Sequence, residues 1–515
     1  MPDHVELRRG AYYDSVSLMQ VSRTVASAPG VEAAQVAMAT DLNTDVIRGM
    51  GFAVPDDAGT NDLIVAIRGD EAALEAGRAA LESALADLKN AGARAGGFGE
   101  APPRRTLGGA IDASQANLAL ISVPGQHAAV EALDAIHRGV SVMLFSDNVS
   151  VEDEVRLKDA AAAADVLVMG PDCGTAVVGG VALGFANAVR PGSVGIVAAS
   201  GTGAQQVMCL LDAAGVGMSH CLGVGGRDMS AQVQGRSTRQ ALAALAADDA
   251  TTSVIVVSKP PAAEVLAEMQ SYAAGLGVPV HWATLGAGRP DLTAAVEAAL
   301  GADGHEVPEW PSWTTDQQPA AGGALRGLFC GGTLADEAML IASEQLGGIR
   351  SNIPLSPELA LGDDLRDDSH VVIDFGDDGM TQGRAHPMID PSLRLERIAS
   401  EAKDPTCGVL LLDLVLGYGA HQDPADELAD AVRSARATAQ EAGRDLPVVV
   451  SLTGVENDPQ GLQRCATTLQ RAGASVFLSN ARATRHALSL LPGSTGTSTP
   501  TSATSSTASS TEQEN

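Results

Sequence analysis

Short, almost wholly apolar runs recur along the chain and alternate with segments of helix length. Among them are NLALISV, SVMLFSD, GIVAAS, SVIVVS, HVVIDF and GVLLLDLV. A strand that is apolar on both faces must be covered on both faces, as a strand is in a parallel sheet between two helical layers. Aromatic residues make up only 3% of the chain and apolar residues 45%, so Ala, Val, Leu and Ile fill the core. The pattern predicts an α/β protein built from βαβ units.

With 515 residues the chain is too long for a single core. Changes in pattern divide it into an N-terminal α+β module of βαββα order (1–95), an α/β unit (107–189), a second (190–303) and a third (324–492). Glycine- and proline-rich stretches separate these units. The last segment, 493–515, consists mainly of Ser, Thr, Gly and Pro, and we expect this tail to be disordered and dispensable because it has no apolar surface to bury.

The last two α/β units repeat each other. GIVAASGTGAQQVMCLLDAAG in the first copy parallels GLFCGGTLADEAMLIASEQLGG in the second, and SVIVVSKPPAAEVLAEM parallels GVLLLDLVLGYGAHQDPADELADAV. In both copies a buried strand runs into a glycine turn that opens a helix. The repeat predicts two duplicated flavodoxin-like domains packed as a pseudo-symmetric pair.

The glycine turns of the two copies are candidate anion sites. Glycines allow close approach of a ligand, and the first N–H groups of a helix together with its dipole favour an anion. Each turn alone is also compatible with an ordinary helix cap, but two such turns at matching positions favour phosphate or acyl phosphate held between them. The candidate residues are Ser200, Gly201, Thr202, Gly203, Gly331, Gly332 and Thr333.

Charged and titratable residues near strand ends supply the other candidates. His386 and Arg384 lie in GRAHPMIDP, where a neutral imidazole could act as a general acid or base or take a phosphoryl group, and where Arg384 could grip phosphate. The alternative for His386 is a histidine at a proline turn. Further substrate candidates are Asp172 and Cys173 in GPDCGT, Arg227 and Asp228 in GGRD, which could instead pair with each other, and Lys259 in SKPP.

Composition excludes several classes of function. The formal charge of −30 and the absence of a basic stripe argue against a nucleic-acid partner. The six cysteines are scattered without CxxC spacing, which predicts reduced thiols and no metal site. The N-terminus lacks an apolar leader, and no run approaches the roughly 20 apolar residues that span a bilayer. We therefore expect a cytoplasmic protein without membrane contacts.

Several motifs together resemble one family. DSVSLM, SDNVSVEDE, VMGPDCGT, ASGTG, GGRD, VSKPP, GGTLA, GRAHPMIDP and LLLDLVLGYGA extend over nearly the whole chain. On these motifs the chain is identified as a member of the FdrA family, whose domains resemble those of succinyl-CoA synthetase. The resemblance implies that 107–189 is a partial Rossmann-like domain of the CoA-binding type. It also implies that SGTGAQQ and CGGTLADEA are the two phosphate-cradling helix starts of that enzyme.

The resemblance implies three alternative functions. One is an acyl-CoA synthetase of the succinate–CoA ligase type, an acid–thiol ligase for which CoA is a possible ligand. The one we favour at this point is a subunit of oxamate carbamoyltransferase in allantoin catabolism, which exchanges a carbamoyl group between oxamate and phosphate. The third is a non-catalytic scaffold. The first two require a small-molecule substrate, acyl or carbamoyl phosphate, and all three imply a hetero-oligomer with other subunits.

The chain departs from succinyl-CoA synthetase at three places. The loop expected to carry the acceptor histidine reads HWATLGAGRPDL, and Ser258 and Lys259 stand where a glutamate would hold the phosphohistidine. The glycine-rich CoA loop is replaced by the N-terminal module, and no ATP-grasp domain is present in the sequence. These departures favour carbamoyl transfer, because carbamoyl phosphate already contains an activated bond.

Overall fold

The N-terminal module is a three-stranded antiparallel sheet covered by helices. The computed structural model describes residues 2–11, 13, 15–55, 57–93, 104–381 and 384–492. Its first strands, β1 (Asp3–Arg8), β2 (Ala33–Met38) and β3 (Leu63–Arg68), lie in the order β1-β3-β2. The helices are α1 (Ser15–Ala26), α2 (Asp41–Gly49) and α3 (Glu71–Ala93). Helix α2, which Thr40 caps through the Asn43 N–H, adds an element to the predicted βαββα order.

A small parallel sheet follows. Its strands are β4 (Leu118–Ile121), β5 (Ser141–Leu144) and β6 (Val168–Met169), in the order β4-β5-β6. Its helices are α4 (Leu107–Ser114), α5 (Gly125–His137) and α6 (Val151–Ala163). Alanines of α5 pack on the sheet together with Val142 and Leu144, as the alternation of apolar strands and alanine-rich helices predicts.

The six-stranded sheet combines a parallel core with an antiparallel hairpin. Its strands are β7 (Thr175–Val178), β8 (Val181–Gly184), β9 (Pro191–Ala199), β10 (Met218–Gly223), β11 (Ser253–Ser258) and β12 (Val280–Thr284), in the order β12-β11-β9-β10-β7-β8. The hairpin β7–β8, which the sequence did not predict, pairs antiparallel with β10. The helices are α7 (Gly201–Ala213), α8 (Arg236–Ala246), α9 (Ala263–Ala273) and α10 (Leu292–Ala302).

The largest sheet has seven strands in the order β13-β19-β18-β17-β14-β16-β15. They are β13 (Ser312–Trp313), β14 (Ala324–Phe329), β15 (Arg350–Ser351), β16 (Val371–Asp374), β17 (Cys407–Val415), β18 (Val448–Thr453) and β19 (Ser475–Phe477). The helices are α11 (Gly332–Leu346), α12 (Asp378–Thr381), α13 (Ser392–Lys403), α14 (Pro424–Glu441), α15 (Leu462–Arg471) and α16 (Asn480–Ser489). Strand β13 is antiparallel to β19 and lies in a stretch predicted as a linker.

Strand β17 shows why these apolar runs are buried. Leu410 and Leu412 pack on one face of the sheet with Leu428 of α14, while Val409 and Leu411 pack on the other face in the core that includes α11. Successive side chains point to opposite faces of a strand, so a run that is apolar at every position matches a sheet covered on both sides. The prediction of an α/β protein with parallel sheets is confirmed.

The parallel strands of the two larger sheets follow a common order. With β9 and β14 each taken as the first strand, the neighbours on either side are β10 and β11 in one sheet and β16 and β17 in the other. Helices α7 and α11 begin directly beyond the carboxyl ends of those first strands. The tail 493–515 lies outside the described residues, and the predicted domain boundaries stay predictions.

Candidate functional site

The two predicted glycine turns are helix starts. Strand β9 ends at Ala199, Ser200 is the N-cap residue, and its Oγ accepts a hydrogen bond from the Gly203 N–H at 2.9 Å. Strand β14 leads through Cys330 to Gly331, the N-cap residue of α11, which makes no side-chain capping bond. In both turns the first N–H groups of a helix therefore point outward beyond the carboxyl end of a parallel strand.

The structure brings these two turns into contact. Ser200 Oγ donates a hydrogen bond to Thr333 Oγ1 at 2.7 Å. A Cβ atom added to Gly331 would lie 2.9 Å from the side chain of Thr202, so glycine is required for this close approach. The N-termini of α7 and α11 consequently meet at one place, where two positive helix ends favour an anion.

A buried carboxylate holds the second turn from behind. Asp413 of β17 accepts hydrogen bonds from the backbone N–H groups of Cys330 at 2.8 Å and Gly331 at 2.9 Å. Its Oδ1 also accepts from Arg394 Nη1 at 2.6 Å, and both side chains are almost completely buried. The amides of Cys330 and Gly331 are thus already satisfied, which leaves the amides of Gly332 and Thr333 to face a ligand. A single Asp within the apolar run GVLLLDLV was the sequence signal for this role.

Lys259 brings a positive charge to the helix starts. Its Nζ lies 3.9 Å from Asp336 Oδ2, and its side chain is 41% exposed. A Cβ atom on Gly332 would lie 3.2 Å from the same Nζ. Burial lowers the pKa of Lys259, but the surrounding carboxylates, Asp336 first and then Asp374, raise it overall, so the ammonium stays charged.

Two acids near Lys259 hold their protons unusually well. Burial raises the pKa of Asp374 to about 7, against the opposing effect of Lys259. Burial and the neighbouring Asp378 raise the pKa of Asp172 to about 6, although its side chain remains accessible to solvent. Acids whose pKa values are raised beside a cation are a common feature of functional sites.

His386 lies near Asp374 as a neutral imidazole. Burial and the charge of Arg394 lower its pKa to about 4. Nδ1 accepts a hydrogen bond from the Met388 N–H at 3.2 Å, which assigns the proton to Nε2. A Cβ atom on Gly376 would lie 2.7 Å from Nε2 and 3.2 Å from Asp374 Oδ1, so the imidazole and that carboxyl group flank the same glycine.

The remaining predicted residues have different surroundings. Arg384 is exposed, and its backbone N–H donates a hydrogen bond to the Thr381 carbonyl. The thiol of Cys173 is buried and has its pKa raised to about 12 by burial, which makes it a poor nucleophile. Arg227 donates to Glu154 Oε2 at 3.0 Å while Asp228 binds elsewhere. The interpretation that Arg227 and Asp228 pair with each other is therefore wrong.

Asp228 belongs to a buried ion network. It accepts hydrogen bonds from Lys158 Nζ at 2.7 Å, from the Ser237 N–H at 3.1 Å and from both the N–H and the hydroxyl of Thr238. Lys158 also donates to Glu154 at 2.7 Å, and none of these charged side chains is more than 1% exposed. Both oxygens of Asp228 are occupied by the protein itself, so its geometry fits a structural role and not contact with a substrate.

Neither a metal centre nor a membrane span stands out. Within the part of the chain that the structure describes, no three His, Cys, Asp or Glu side chains cluster in a way that could hold a metal ion. Across the same residues, no helix is long and apolar enough to cross a membrane.

Comparison with known proteins places this geometry in a family. YahF of Escherichia coli K12 is 38% identical over 499 residues, covering 92% of this chain and 96% of YahF. The chain belongs to the YahF family. Residues 328–490 of this member match the CoA-ligase family, and residues 1–102 match the family described as AllF, heavy metal-associated domain. These matches support the view that the YahF family is succinyl-CoA synthetase-like.

More distant relatives of this YahF-family chain are succinate–CoA ligases. The α subunit 2 of the ADP-forming enzyme from Archaeoglobus fulgidus is 30% identical over 184 residues, or 33% of this chain and 63% of that subunit. Among solved structures, the apo form of a dinucleotide-forming acetyl-coenzyme A synthetase from Ca. Korarchaeum cryptofilum is 16% identical and covers 73% of this chain and 82% of that one. Its TM-score of 0.25 is too low to support an argument.

The match of residues 1–102 does not bring metal ligands with it. The first cysteine of the chain is Cys173, so this region has no thiolate, the ligand that soft heavy metals prefer. The likeness therefore concerns the domain and does not extend to cysteine ligands.

Proposed function

We propose that the chain is a subunit that transfers an acyl group between phosphate and a thiol, as an acid–thiol ligase relative. The observation that carries this proposal is the meeting of the two helix N-termini at the 2.7 Å bond between Ser200 and Thr333, beside Lys259. The match of 328–490 to the CoA-ligase family supports it. The common strand order of the two larger sheets fits a duplicated flavodoxin-like pair that forms the cleft.

The chemistry follows from positioning and charge. The amides of Gly332 and Thr333, the start of α7 and the ammonium of Lys259 would hold the phosphate of an acyl phosphate. A thiol then attacks the carbonyl carbon, the bond from carbon to the bridging phosphate oxygen breaks, and the departing phosphate gains negative charge. Fixed donors that stabilise this charge accelerate the step without covalent participation. The proton of the thiol passes to the departing phosphate, and the neutral His386, with its proton on Nε2, would donate a hydrogen bond to an oxygen of the substrate.

A second candidate is a subunit of the FdrA type that transfers a carbamoyl group between oxamate and phosphate. The loop 285–291, where a succinyl-CoA synthetase would carry its acceptor histidine, reads LGAGRPD and contains no imidazole. Carbamoyl phosphate needs no such acceptor because its mixed anhydride is already activated. Both candidates place phosphate at the same helix starts and require partner subunits.

The test is turnover by the full chain purified with its partners. CoA thioester formation, oxamate-dependent use of carbamoyl phosphate and ATP formation from carbamoyl phosphate with ADP separate the two candidates. His386→Ala should lower turnover strongly while the circular dichroism spectrum stays unchanged. His127→Ala, which removes an exposed histidine on α5, is the matched control. Wild-type turnover in the complex for both His386→Ala and Ser200→Ala would support the scaffold alternative and reject this proposal.

A further inference from the structure

Asp374 is a buried acid that the sequence did not single out as a site residue. It ends β16 and is 3% exposed. Asn352 fixes its backbone, because the Asp374 N–H donates to Asn352 Oδ1 at 2.9 Å and the Asn352 amide donates to the Asp374 carbonyl at 2.8 Å. The side-chain Oδ1 accepts from the Gly376 N–H at 2.9 Å. The position of the carboxyl group is therefore fixed from two sides.

The other oxygen points at the anion site. A Cβ atom on Gly332, the first residue of α11, would lie only 2.6 Å from Asp374 Oδ2. Among the described residues, no hydrogen bond to this oxygen is present. A carboxyl oxygen of a buried residue, without a hydrogen bond among the described residues, thus lies beside the amides at which a phosphate would bind, and an ionised carboxylate there would repel that phosphate.

The groups around Asp374 do not neutralise it. Lys259 at the end of β11 is the nearby cation, but Asp336 of α11 and Asp413 of β17 also act on Asp374. Asp172 and Asp377 compete for the same ammonium, and His386 beside Gly376 is neutral. Arg394 is committed to Asp413. One ammonium shared by several carboxylates cannot offset both Asp374 and an incoming dianion.

We propose that Asp374 is a ligand of the transferred phosphate and binds it as a neutral carboxyl group, with Oδ2 donating a hydrogen bond to a phosphate oxygen. Each dianion then enters together with one proton, which stays on Oδ2. This inference rests on the anion site of the proposed function. The raised pKa of Asp374, about 7, supports it, because a nearby dianion will raise that pKa further. It also explains why position 332 requires glycine, since a Cβ atom would separate the carboxyl group from the ligand.

The experiment is calorimetric titration of the full chain with sulfate, which remains a dianion at every pH used. Titrations between pH 7 and 8 in buffers with different ionisation enthalpies give the number of protons bound with each sulfate. Because the free carboxyl group has a pKa of about 7, we expect the uptake to rise from about half a proton at pH 7 to about nine tenths of a proton at pH 8, and the affinity to fall about tenfold for each pH unit above the pKa. Asp374→Asn should bind sulfate with no proton uptake and with affinity nearly independent of pH.

Asp377→Asn is the matched control, because it removes another acid that acts on Lys259 but leaves Asp374 in place. It should keep the uptake of the wild type. Sulfate binding without proton uptake, or an unchanged uptake in Asp374→Asn, would overturn the role of Asp374. Absence of sulfate binding in the wild type and in Asp374→Asn would instead show that the anion site of the proposed function is wrong.

A further measurement tests the proposal even if Asp374→Asn folds poorly. Infrared difference spectra of the wild type and of Asp377→Asn should gain a protonated carboxyl band when sulfate is added at pH 8. A missing band in both proteins contradicts the proposal without any use of the Asp374 variant.

Discussion

The helix starts at Gly201 and Gly332 occupy matching places in two sheets but are held by different means. Ser200 caps α7 from within its own loop. Helix α11 has no side-chain cap, and Asp413 of a neighbouring strand holds the loop in front of it. Continuing the strand register by one residue, the position in the first sheet that matches Asp413 is the apolar Val257. In the first turn Ser200 thus occupies the N–H of Gly203, whereas the second turn is supported from behind and the first amides of α11 have no side-chain acceptor. This difference centres the proposed anion site on α11.

The strongest test of this asymmetry compares valine at the two helix starts. A Cβ atom on Gly332 would meet Asp374 Oδ2 at 2.6 Å, whereas one on Gly201 would meet Thr175 Oγ1 at an ordinary 3.5 Å. Gly332→Val should lower turnover of the assembled complex about 10²-fold or more, as the loss of a charge-stabilising donor does. Gly201→Val should cost clearly less. Equal losses would mean that the two helix starts share the ligand equally.

The next effect concerns stability. Asp413→Asn leaves the buried guanidinium of Arg394 without its charge partner, which should lower the free energy of unfolding by about 3 to 5 kcal/mol. Urea denaturation followed by tryptophan fluorescence measures this. The double variant Asp413→Leu with Arg394→Met removes both charges and should recover only part of the loss, because the amides of Cys330 and Gly331 remain without an acceptor. Complete recovery would show that Asp413 serves the ion pair and not the turn.

The smallest effect is expected at the first turn. Ser200→Ala removes the cap of α7 and the hydroxyl bond to Thr333, at a cost of about 1 kcal/mol in the free energy of unfolding. Turnover should fall only modestly if α11 carries the ligand. A double-mutant cycle with Thr333→Val should show coupling, since the two hydroxyl groups are 2.7 Å apart. Additive effects in that cycle would argue against contact between the turns in solution.

Local signals were sufficient for the apolar parallel strands, for the helices that follow them and for the two turns. Apolar runs such as GVLLLDLV predict covered strands, and SGTG and CGGT predict helix starts because the chemistry of a turn is contained in a few consecutive residues. The supporting groups could not be predicted in this way. Asp413 accepts a hydrogen bond from the N–H of Cys330, which lies 83 positions earlier in the sequence. Asp374 faces Gly332 only because β14 and β16 are neighbours in the sheet. Such contacts depend on strand order, which periodicity does not reveal.

Two surprises have the same origin. The stretch 306–323 has the proline content of a linker, yet Ser312 and Trp313 add a strand because the edge of β19 is available. His421 lies in the polar loop GYGAHQDP, yet its side chain is only 8% exposed, because it lies against Glu427 and against Arg23 of α1. In both cases a distant part of the chain covers a segment that is polar in local composition.

The buried network of Lys158, Glu154 and Asp228 has an evolutionary consequence. Losing any one of these residues leaves an unpaired charge in the interior, whereas replacing all of them by apolar residues of similar size is compatible with folding. The three positions should therefore vary together in evolution. In distant descendants of a common ancestor they should be kept together or exchanged together, and a lineage that has lost the lysine alone should be rare.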